Sequence, residues 1–259
     1  MSIQQSKSIC AADALLKSFE VPINAVVVGA TGGIGSAVLE LLDHCPNVQN
    51  ILALSRRPIP DGLKTKSMAL DIQDEATIAK AAEVAKAEFG DIHLVFVATG
   101  ILHDDENQPE KTFRGLSPEW ASRVFAINAT GPMIIAKHFV PLFPRDGKSV
   151  FTAISAKVGS ISDNGLGGWY GYRASKAALN QFIKTLSIEV ARKYSDAVCL
   201  ALHPGTVDTE LSTPFQSGVP EGRLFTPEYS ANRLLQVVDQ ADPSDSGQLV
   251  AWDGERLPY

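Results

Sequence analysis

Two residues four positions apart, Tyr172 and Lys176, are the pair in this chain best suited to carry out chemistry. Residues at this spacing lie on one face of a helix, so the lysine ammonium can lie beside the phenol. A free tyrosine has a pKa of about 10, too high for an effective base at neutral pH, and a positive charge within roughly 4–6 Å lowers such a value by about 1–3 units. The spacing therefore predicts proton exchange by Tyr172. Tyr170 is not expected to serve, because Ala174 stands four residues after it.

A glycine-rich turn far upstream gives this pair its context. The turn follows the apolar run 25–28 and precedes a helical pattern from Ile34 to His44. Glycines let the backbone approach a pyrophosphate closely, and a helix N-terminus offers unpaired N–H groups and a favourable dipole. In this strand-turn-helix setting a dinucleotide is favoured over a simple tight turn. The expected contacts are Gly29, Thr31, Gly32, Gly33, Ile34 and Gly35.

The end of the second predicted strand indicates which dinucleotide binds. A carboxylate about 20 residues beyond the turn usually binds the ribose of NAD, whereas an arginine accommodates the 2′-phosphate of NADP. Here the strand ends in Ser55, Arg56 and Arg57, with no acid. Guanidinium groups suit a phosphate dianion, so NADP(H) is favoured over NAD(H). The alternative is a solvated arginine pair at a strand end.

Further cofactor contacts are expected where the third and fourth strands end, because open parallel sheets bind ligands at that edge. Asp71 can accept from the adenine amino group while Ile72 packs beside the ring, although Asp71 is equally suited to cap the following helix. Backbone at Ala98, Thr99 and Gly100 can line the cofactor ribose.

The segment after the sixth predicted strand is expected to bind the nicotinamide amide and a phosphate oxygen. His203 just before it is interpreted as structural, and Trp169 as packing at the border of the site. Phe215 and Phe225 are candidate substrate contacts, as is Val219. The expected cofactor contacts in this segment are Pro204, Gly205, Thr206, Val207 and Thr209.

Two more residues are expected to act with Tyr172 and Lys176 in the reaction. Ser155 ends the fifth predicted strand, where its hydroxyl can donate to a substrate oxygen, although alone it is equally a strand-end hydroxyl. Asn128 lies in a helical stretch that Gly131 and Pro132 are expected to kink. A water held by the backbone carbonyl of Asn128 would pass protons towards Lys176.

Short apolar runs alternate with helical patterns along the chain. Such strands, apolar throughout, indicate a parallel sheet covered on both faces. We predict one doubly wound, Rossmann-like α/β domain over residues 23–259, with seven parallel strands and helices on both faces. The predicted strands are Ala25–Val28, Ile51–Leu54, Met68–Leu70, Leu94–Ala98, Val150–Ile154, Ala197–Leu202 and Gln248–Trp252.

The helices that separate these strands follow from apolar periodicity and capping residues. Ser117 is expected as an N-cap with Pro118 at the first position. Glycine and proline are frequent between Pro204 and Pro227, which predicts a mobile substrate loop over residues 204–226. The other predicted helices are Ile34–His44, Asp74–Phe89, Tyr172 to about Tyr194 and Pro227 to about Asp239.

Composition is that of an ordinary globular protein, with 45% apolar and 20% charged residues among 259. The net charge of −6 argues against nucleic acid or an anionic membrane as the main partner. No apolar run approaches the roughly 20 residues that span a bilayer.

The first 22 residues are predicted to be an N-terminal extension. They are polar and lack the apolar core of a secretory signal, so a cytoplasmic protein is expected. Cys10, Cys45 and Cys199 show no C-x-x-C spacing, which predicts reduced thiols rather than a metal site or disulfides.

Together these motifs resemble the short-chain dehydrogenase/reductase family from about Ile23 to the C-terminus. Their order along the chain is far more specific than any one motif. Residues 98–104, 155–163 and 168–176 further resemble the C-factor or sniffer-like carbonyl reductase branch. The resemblance implies NAD(P)-dependent carbonyl/alcohol chemistry and a homodimer or tetramer. It also implies a catalytic tetrad of Asn128, Ser155, Tyr172 and Lys176.

Three departures from the family pattern are present. The Asn-Asn-Ala-Gly motif of the fourth strand is replaced at residues 97–100 by Val-Ala-Thr-Gly. Ser155 stands 17 residues before the tyrosine, several more than usual, and the segment 163–168 is suited to absorb the difference. The second serine of the family corresponds to Ala156, which leaves Ser160 as a lesser rival for the hydroxyl role.

We therefore expect an NADP(H)-dependent oxidoreductase acting on a small or medium carbonyl or alcohol. The alternative is an NADP-binding signalling or redox-sensing protein with little turnover, which the C-factor resemblance suggests. The pair of Tyr172 and Lys176 favours the enzyme, because a pure sensor does not need it. The expected partner is a small molecule rather than nucleic acid or a membrane.

Overall fold

The computed structural model describes residues 15–259, and its centre is an eight-stranded sheet. From one edge to the other the strand order is β10-β9-β6-β5-β4-β1-β2-β3, with β7 and β8 forming a separate parallel pair. The strands are β1 (Ile23–Val28), β2 (Val48–Ser55), β3 (Thr65–Ala69), β4 (Leu94–Val97), β5 (Ser149–Ile154), β6 (Ala197–His203), β7 (Thr206–Val207), β8 (Leu224–Phe225), β9 (Gln248–Ala251) and β10 (Arg256–Leu257).

Seven of the eight strands are parallel, as predicted. The eighth, β10, pairs antiparallel with β9 and was not predicted, since two residues are too few to form a periodic pattern. The helices are α1 (Gly33–His44), α2 (Glu75–Phe89), α3 (Pro118–Phe125), α4 (Gly131–Phe139), α5 (Tyr170–Val190) and α6 (Pro227–Gln240).

Two hydrophobic cores cover the two faces of the sheet. One lies under α2, α4 and α5, and the other under α1 and α6. Successive residues of a strand point to opposite faces, so Val26 and Val28 enter the first core while Ala25 and Val27 enter the second. This arrangement is the doubly wound fold expected from the sequence.

Helix starts follow the capping residues for the most part. Ser117 accepts a hydrogen bond from the backbone N–H of Trp120, as predicted for the N-cap of α3. Asp74, rather than Asp71, caps α2 by accepting from the backbone N–H of Ala76. The role of Asp71 as an N-cap is therefore corrected, because the helix begins at Glu75.

The described part of the predicted N-terminal extension packs on the domain. Leu15, Leu16 and Phe19 are buried in the core shared by α1 and α6. Asn47 donates from its amide to the carbonyl oxygens of Leu16 and Phe19, at 2.7 and 3.3 Å. Residues 1–14 of the predicted extension, with Cys10, lie outside the described residues.

Within residues 15–259, no helix is long and apolar enough to cross a bilayer. The same stretch holds no group of three His, Cys, Asp or Glu side chains placed to bind a metal. Cys45 and Cys199 are free and buried.

The direction in which successive strands are added to the sheet reverses at β1. β1 lies between β2 and β4, so the chain passes from β1 to one side and returns to the other. Parallel sheets bind ligands in the crevice outside the carboxyl ends of such strands. The glycine turn after β1 and the loop after β4 both open into this crevice.

Candidate active site

Helix α5 brings Tyr172 and Lys176 together, as their spacing predicts. Lys176 is 2% exposed, and its Nζ donates to the carbonyl oxygen of Ile154 at 2.8 Å. The same Nζ lies 5.7 Å from the centroid of the Tyr172 ring. Because Ile154 ends β5, this hydrogen bond anchors the pair at the carboxyl edge of the sheet.

Burial changes the titration of both groups. It raises the pKa of Tyr172 to about 12 and lowers the pKa of Lys176 to about 7. Each shift favours the neutral form, because a charge is poorly solvated inside the protein. The expected lowering of the Tyr172 pKa is therefore not produced by the chain alone. It requires positive charge beside the phenol, on Lys176 and on a bound ligand.

Asn128 lies in a π-helical turn, Ala126–Thr130, that joins α3 to α4. Its side chain is fully buried and pairs with both backbone groups of Ile101, each at 2.8 Å. Its Nδ2 also donates to Ser175 Oγ at 3.1 Å. Single π turns inside α-helices occur frequently at functional sites. The predicted irregularity thus takes the form of a wide turn before Gly131 rather than a proline kink.

The loop after β4 completes this cluster. A Cβ built on Gly100 would lie 3.6 Å from both Asn128 Oδ1 and Lys176 Nζ. The backbone of Gly100 therefore faces the two side chains without a side chain between them. Three elements that are far apart in sequence meet at this point.

Ser155 is placed differently from its predicted role. It is 1% exposed, and its hydroxyl donates to Asn180 Oδ1 at 2.6 Å. Asn180 stands one turn beyond Lys176 on the same face of α5, so the Ser155 proton is directed into the helix. The rival hydroxyl of Ser160 accepts from the backbone N–H of Asp163 at 3.2 Å.

The glycine turn has the geometry of an anion-binding site. Gly29 adopts a φ of +86°, and a Cβ on Gly35 would lie 2.1 Å from the Gly29 carbonyl oxygen, so both positions require glycine. Helix α1 begins at Gly33 with no side-chain cap and no acid in its first turn. The positive end of its dipole is therefore open to a phosphate, which fits a dinucleotide.

Neighbouring segments close around this turn. A Cβ on Gly33 would lie 2.5 Å from Thr209 Cγ2, so the segment after β6 lies directly over the turn. That segment is held from behind, since Ser230 Oγ donates to the carbonyl oxygen of Pro204 at 2.9 Å. Gly205 has a φ of +77°, and Val207 is buried while Thr206 is exposed.

The remaining predicted cofactor residues lie along the same edge. Arg56 and Arg57 are exposed after β2, and neither takes part in an ion pair within residues 15–259. Thr99 Oγ1, after β4, is buried without a hydrogen-bond partner in the same range. Such an orphaned hydroxyl beside the crevice suits a polar ligand.

Asp71 and Ile72 occupy the loop after β3. Asp71 Oδ1 accepts from the backbone N–H of Gln73 at 3.0 Å, which closes the turn before α2. Ile72 is buried, and a Cβ on Gly131 would lie 2.5 Å from its Cγ1. Ile72 therefore packs tightly on the first residue of α4.

An aromatic cluster that the sequence did not predict borders the tyrosine. The Trp169 ring lies edge-on to Tyr172, at 6.2 Å between centroids, and to Phe215, at 5.0 Å. His103 also packs on Phe215, at 5.7 Å. Phe225 instead packs on Trp252 at 4.6 Å, away from this cluster. No local pattern marks these contacts, since they join separate loops.

Comparison with known proteins identifies the family. The model of the short chain dehydrogenases matches residues 24–219. The chain belongs to this family. This short-chain dehydrogenase is similar to C-signal of Myxococcus xanthus, with 31% identity over 138 residues. The matched region covers 53% of this chain and 78% of C-signal.

Solved structures show the same fold for this short-chain dehydrogenase. An NADPH-bound carbonyl reductase from chicken fatty liver superposes with a TM-score of 0.80 at 24% identity, covering 92% of this chain and 99% of the other. Carbonyl reductase Sniffer of D. melanogaster gives a TM-score of 0.77 at 19% identity, with 93% and 100% covered. The predicted resemblance to the C-factor and sniffer-like branch is confirmed.

Proposed function

We propose that this short-chain dehydrogenase transfers hydride between NADP(H) and a small or medium carbonyl or alcohol. The observation that carries the proposal is the meeting of Lys176 and Asn128 at the backbone of Gly100, with the Tyr172 ring centroid 5.7 Å from Lys176 Nζ. These groups lie at the carboxyl edge of the sheet, beside an uncapped helix N-terminus that suits a pyrophosphate.

When bound, the nicotinamide would donate the hydride to the carbonyl carbon or accept it from the alcohol. The chain supplies the proton. Tyr172 gives its phenolic proton to the carbonyl oxygen as that oxygen becomes an alkoxide, and solvent then reprotonates the phenolate. Lys176 stabilises the phenolate by its charge, and Asn128 holds the loop after β4 in place through both backbone groups of Ile101.

Ser155 can assist only after a change in its hydrogen bond. Asn180 Nδ2 is buried without a partner among the described residues. A turn of the Asn180 amide group by about 180° would let Nδ2 donate to Ser155 Oγ. This buried N–H donor would then have a hydrogen-bond partner. The Ser155 proton would then be free for the substrate oxygen. Ser160 is the rival source of this hydroxyl.

The proposed nucleotide contacts follow the same edge of the sheet. Arg56 and Arg57 would bind the 2′-phosphate, because they are exposed guanidinium groups with no ion-pair partner in residues 15–259. Asp71 and Ile72 would contact the adenine. The glycine turn, residues 98–100 and the segment 204–209 would line the pyrophosphate, ribose and nicotinamide.

By family analogy we also propose a homo-oligomer that pairs the helices carrying Asn128 and Tyr172. Phe182 and Ile188 of α5 support this, since both are large apolar side chains exposed on the surface. The mass of the purified protein, measured by light scattering after size exclusion, tests it. A monomer at micromolar concentration would contradict the assignment.

Oxidation of NADPH by the purified protein over a panel of carbonyl compounds tests the main proposal. We expect turnover that Tyr172→Phe removes. A variant as active as the wild type would overturn the mechanism. A second candidate function, an NADP-binding signalling protein with little turnover, is favoured by the similarity to C-signal. Tight NADPH binding without oxidation of NADPH over the whole panel would support that candidate.

A further inference from the structure

A buried carboxylate that the proposed reaction does not use lies at the start of α5. Glu110, in the loop between β4 and α3, is 5% exposed. Its Oε2 accepts from the backbone N–H of Gly171 at 3.1 Å. Its backbone carbonyl accepts from the N–H of Trp169 at 2.6 Å. The donors are the residue just before the helix that carries Tyr172 and the second residue of that helix.

The chain needs outside help at this helix end. Trp169, the residue before α5, has a φ of +52°, a left-handed conformation that disfavours a side chain with a Cβ. Its side chain provides no cap. Gly167 and Gly168 before it also have positive φ, +66° each. Three consecutive left-handed residues direct the chain into the helix. Asn164 and Arg173 bond Gly167 and Gly168 locally, and Glu110 adds the contacts from a distant loop.

The carboxylate suits this position electrostatically. The first N–H groups of a helix have no partner within the helix, and the dipole there favours a negative charge. A buried carboxylate is costly without such compensation. Glu110 Oε1 has no hydrogen-bond partner among residues 15–259, so the N–H of Gly171 is the one donor to this carboxyl group in that range.

Gly171 is adapted to this carboxylate. A Cβ at that position would lie 2.9 Å from Glu110 Oε1 and would displace it. Gly171 is buried, and it immediately precedes Tyr172. The absence of a side chain at 171 thus allows the contact that holds the backbone beside the phenol.

We infer that Glu110 is a positioning residue, which fixes the first turn of α5 and so the place of Tyr172 and Trp169 in the site. The inference rests on the proposed function of Tyr172 as proton donor. A shift of about 1 Å in a reacting group is enough to lower a rate roughly 100-fold. Glu110 acts through the helix and need not touch the substrate.

Amide hydrogen exchange tests the contact without any activity. In Glu110→Ala the peptide covering residues 168–175 should exchange about tenfold faster than in the wild type, with the sheet peptides unchanged. Glu110→Gln keeps an acceptor oxygen and should stay within about threefold. Glu106→Ala, an exposed carboxylate of the same loop, is the matched control and should not change.

Exchange at the wild-type rate in Glu110→Ala would overturn the inference. So would an equal increase over every peptide, which would mean loss of global stability only. If Glu110→Gln raised the exchange rate as much as Glu110→Ala does, the acceptor oxygen at position 110 would not be what holds the first turn of α5.

Steady-state kinetics provide the second measurement. Glu110→Ala should lower kcat roughly 10- to 100-fold while the Kd for NADPH stays within about twofold, because the nucleotide end is built on other elements. Glu110→Gln should restore most of kcat. A wild-type kcat in Glu110→Ala overturns this inference but leaves the proposed function intact. Full activity of Tyr172→Phe overturns the proposed function, while the exchange result still decides the contact.

Discussion

Helices α1 and α5 both begin at the carboxyl edge of the sheet, but their N-termini are built in opposite ways. Helix α1 starts with glycine, no capping side chain and no acid in its first turn. The first turn of α5 is occupied by the buried carboxylate of Glu110. An open N-terminus leaves its dipole for a ligand anion, whereas a closed one uses it to hold the protein itself.

The difference matches the roles proposed for the two helix ends, which are nucleotide binding at α1 and proton transfer at α5. At α1 the chain offers backbone and space, so a flexible anionic ligand can settle there. At α5 the chain supplies its own anion, so a side chain is held in place before any ligand arrives. Binding tolerates adjustment of the ligand, whereas proton transfer requires a fixed distance.

The reacting end should be the more sensitive to the loss of a single atom. Tyr172→Phe removes the phenolic oxygen and should lower kcat about 10²- to 10⁴-fold, because general acid catalysis contributes that much. The Kd for NADPH, measured by fluorescence, should stay within about threefold. Tyr170→Phe, an exposed neighbour on the same helix, is the control and should retain full activity.

Stability should also depend on pH through the reacting end. Burial lowers the pKa of Lys176 to about 7, whereas an unfolded lysine titrates at about 10.4. Between these values the unfolded state binds more protons, so the free energy of unfolding rises with pH. Tyr172 has a raised pKa, so its contribution is lost only above about pH 10.

In the wild type we expect the free energy of unfolding, measured with urea, to rise by a few kcal/mol between about pH 7 and 9.5. In Lys176→Met this rise should be absent. Lys80→Met, at an exposed position, should keep the wild-type slope. A slope that is identical in all three proteins would mean that Lys176 is charged when buried. In that case its ammonium is available to the phenol without a ligand.

The binding end should discriminate cofactors by charge alone. Arg56→Ala with Arg57→Ala should weaken NADPH about 10- to 100-fold and leave NADH nearly unchanged, because only NADPH carries the 2′-phosphate. Arg145→Ala, an exposed arginine elsewhere, is the control. An unchanged ratio of the two Kd values would show that the phosphate lies away from β2.

The smallest effect on kcat is expected at Ser155, whose hydroxyl already donates a hydrogen bond to Asn180. Ser155→Ala should lower kcat about tenfold, because Ser155 must first exchange its hydrogen bond with Asn180. Ser160→Ala should be nearly as active as the wild type. The reverse ranking would transfer the hydroxyl role to Ser160.

Sequence patterns located most elements because the helices and central strands repeat with distinct periods. The weakest prediction was β3, placed at Met68–Leu70 but found at Thr65–Ala69. This strand lies at the sheet edge and is largely half-exposed, so it has no continuous apolar run. Helix α5 was predicted from Tyr172 to about Tyr194 but runs from Tyr170 to Val190, and a distant residue, Glu110, bonds its first turn.

Local spacing alone determined the pair on α5, the glycine turn and the alternation of strands and helices. Each of these depends on residues a few positions apart, where backbone geometry is fixed. Only the tertiary structure decided that Ser155 points to Asn180 and that Glu110 lies under Gly171. Those contacts join residues on separate elements, and which atoms meet depends on how the packed cores set the elements against one another.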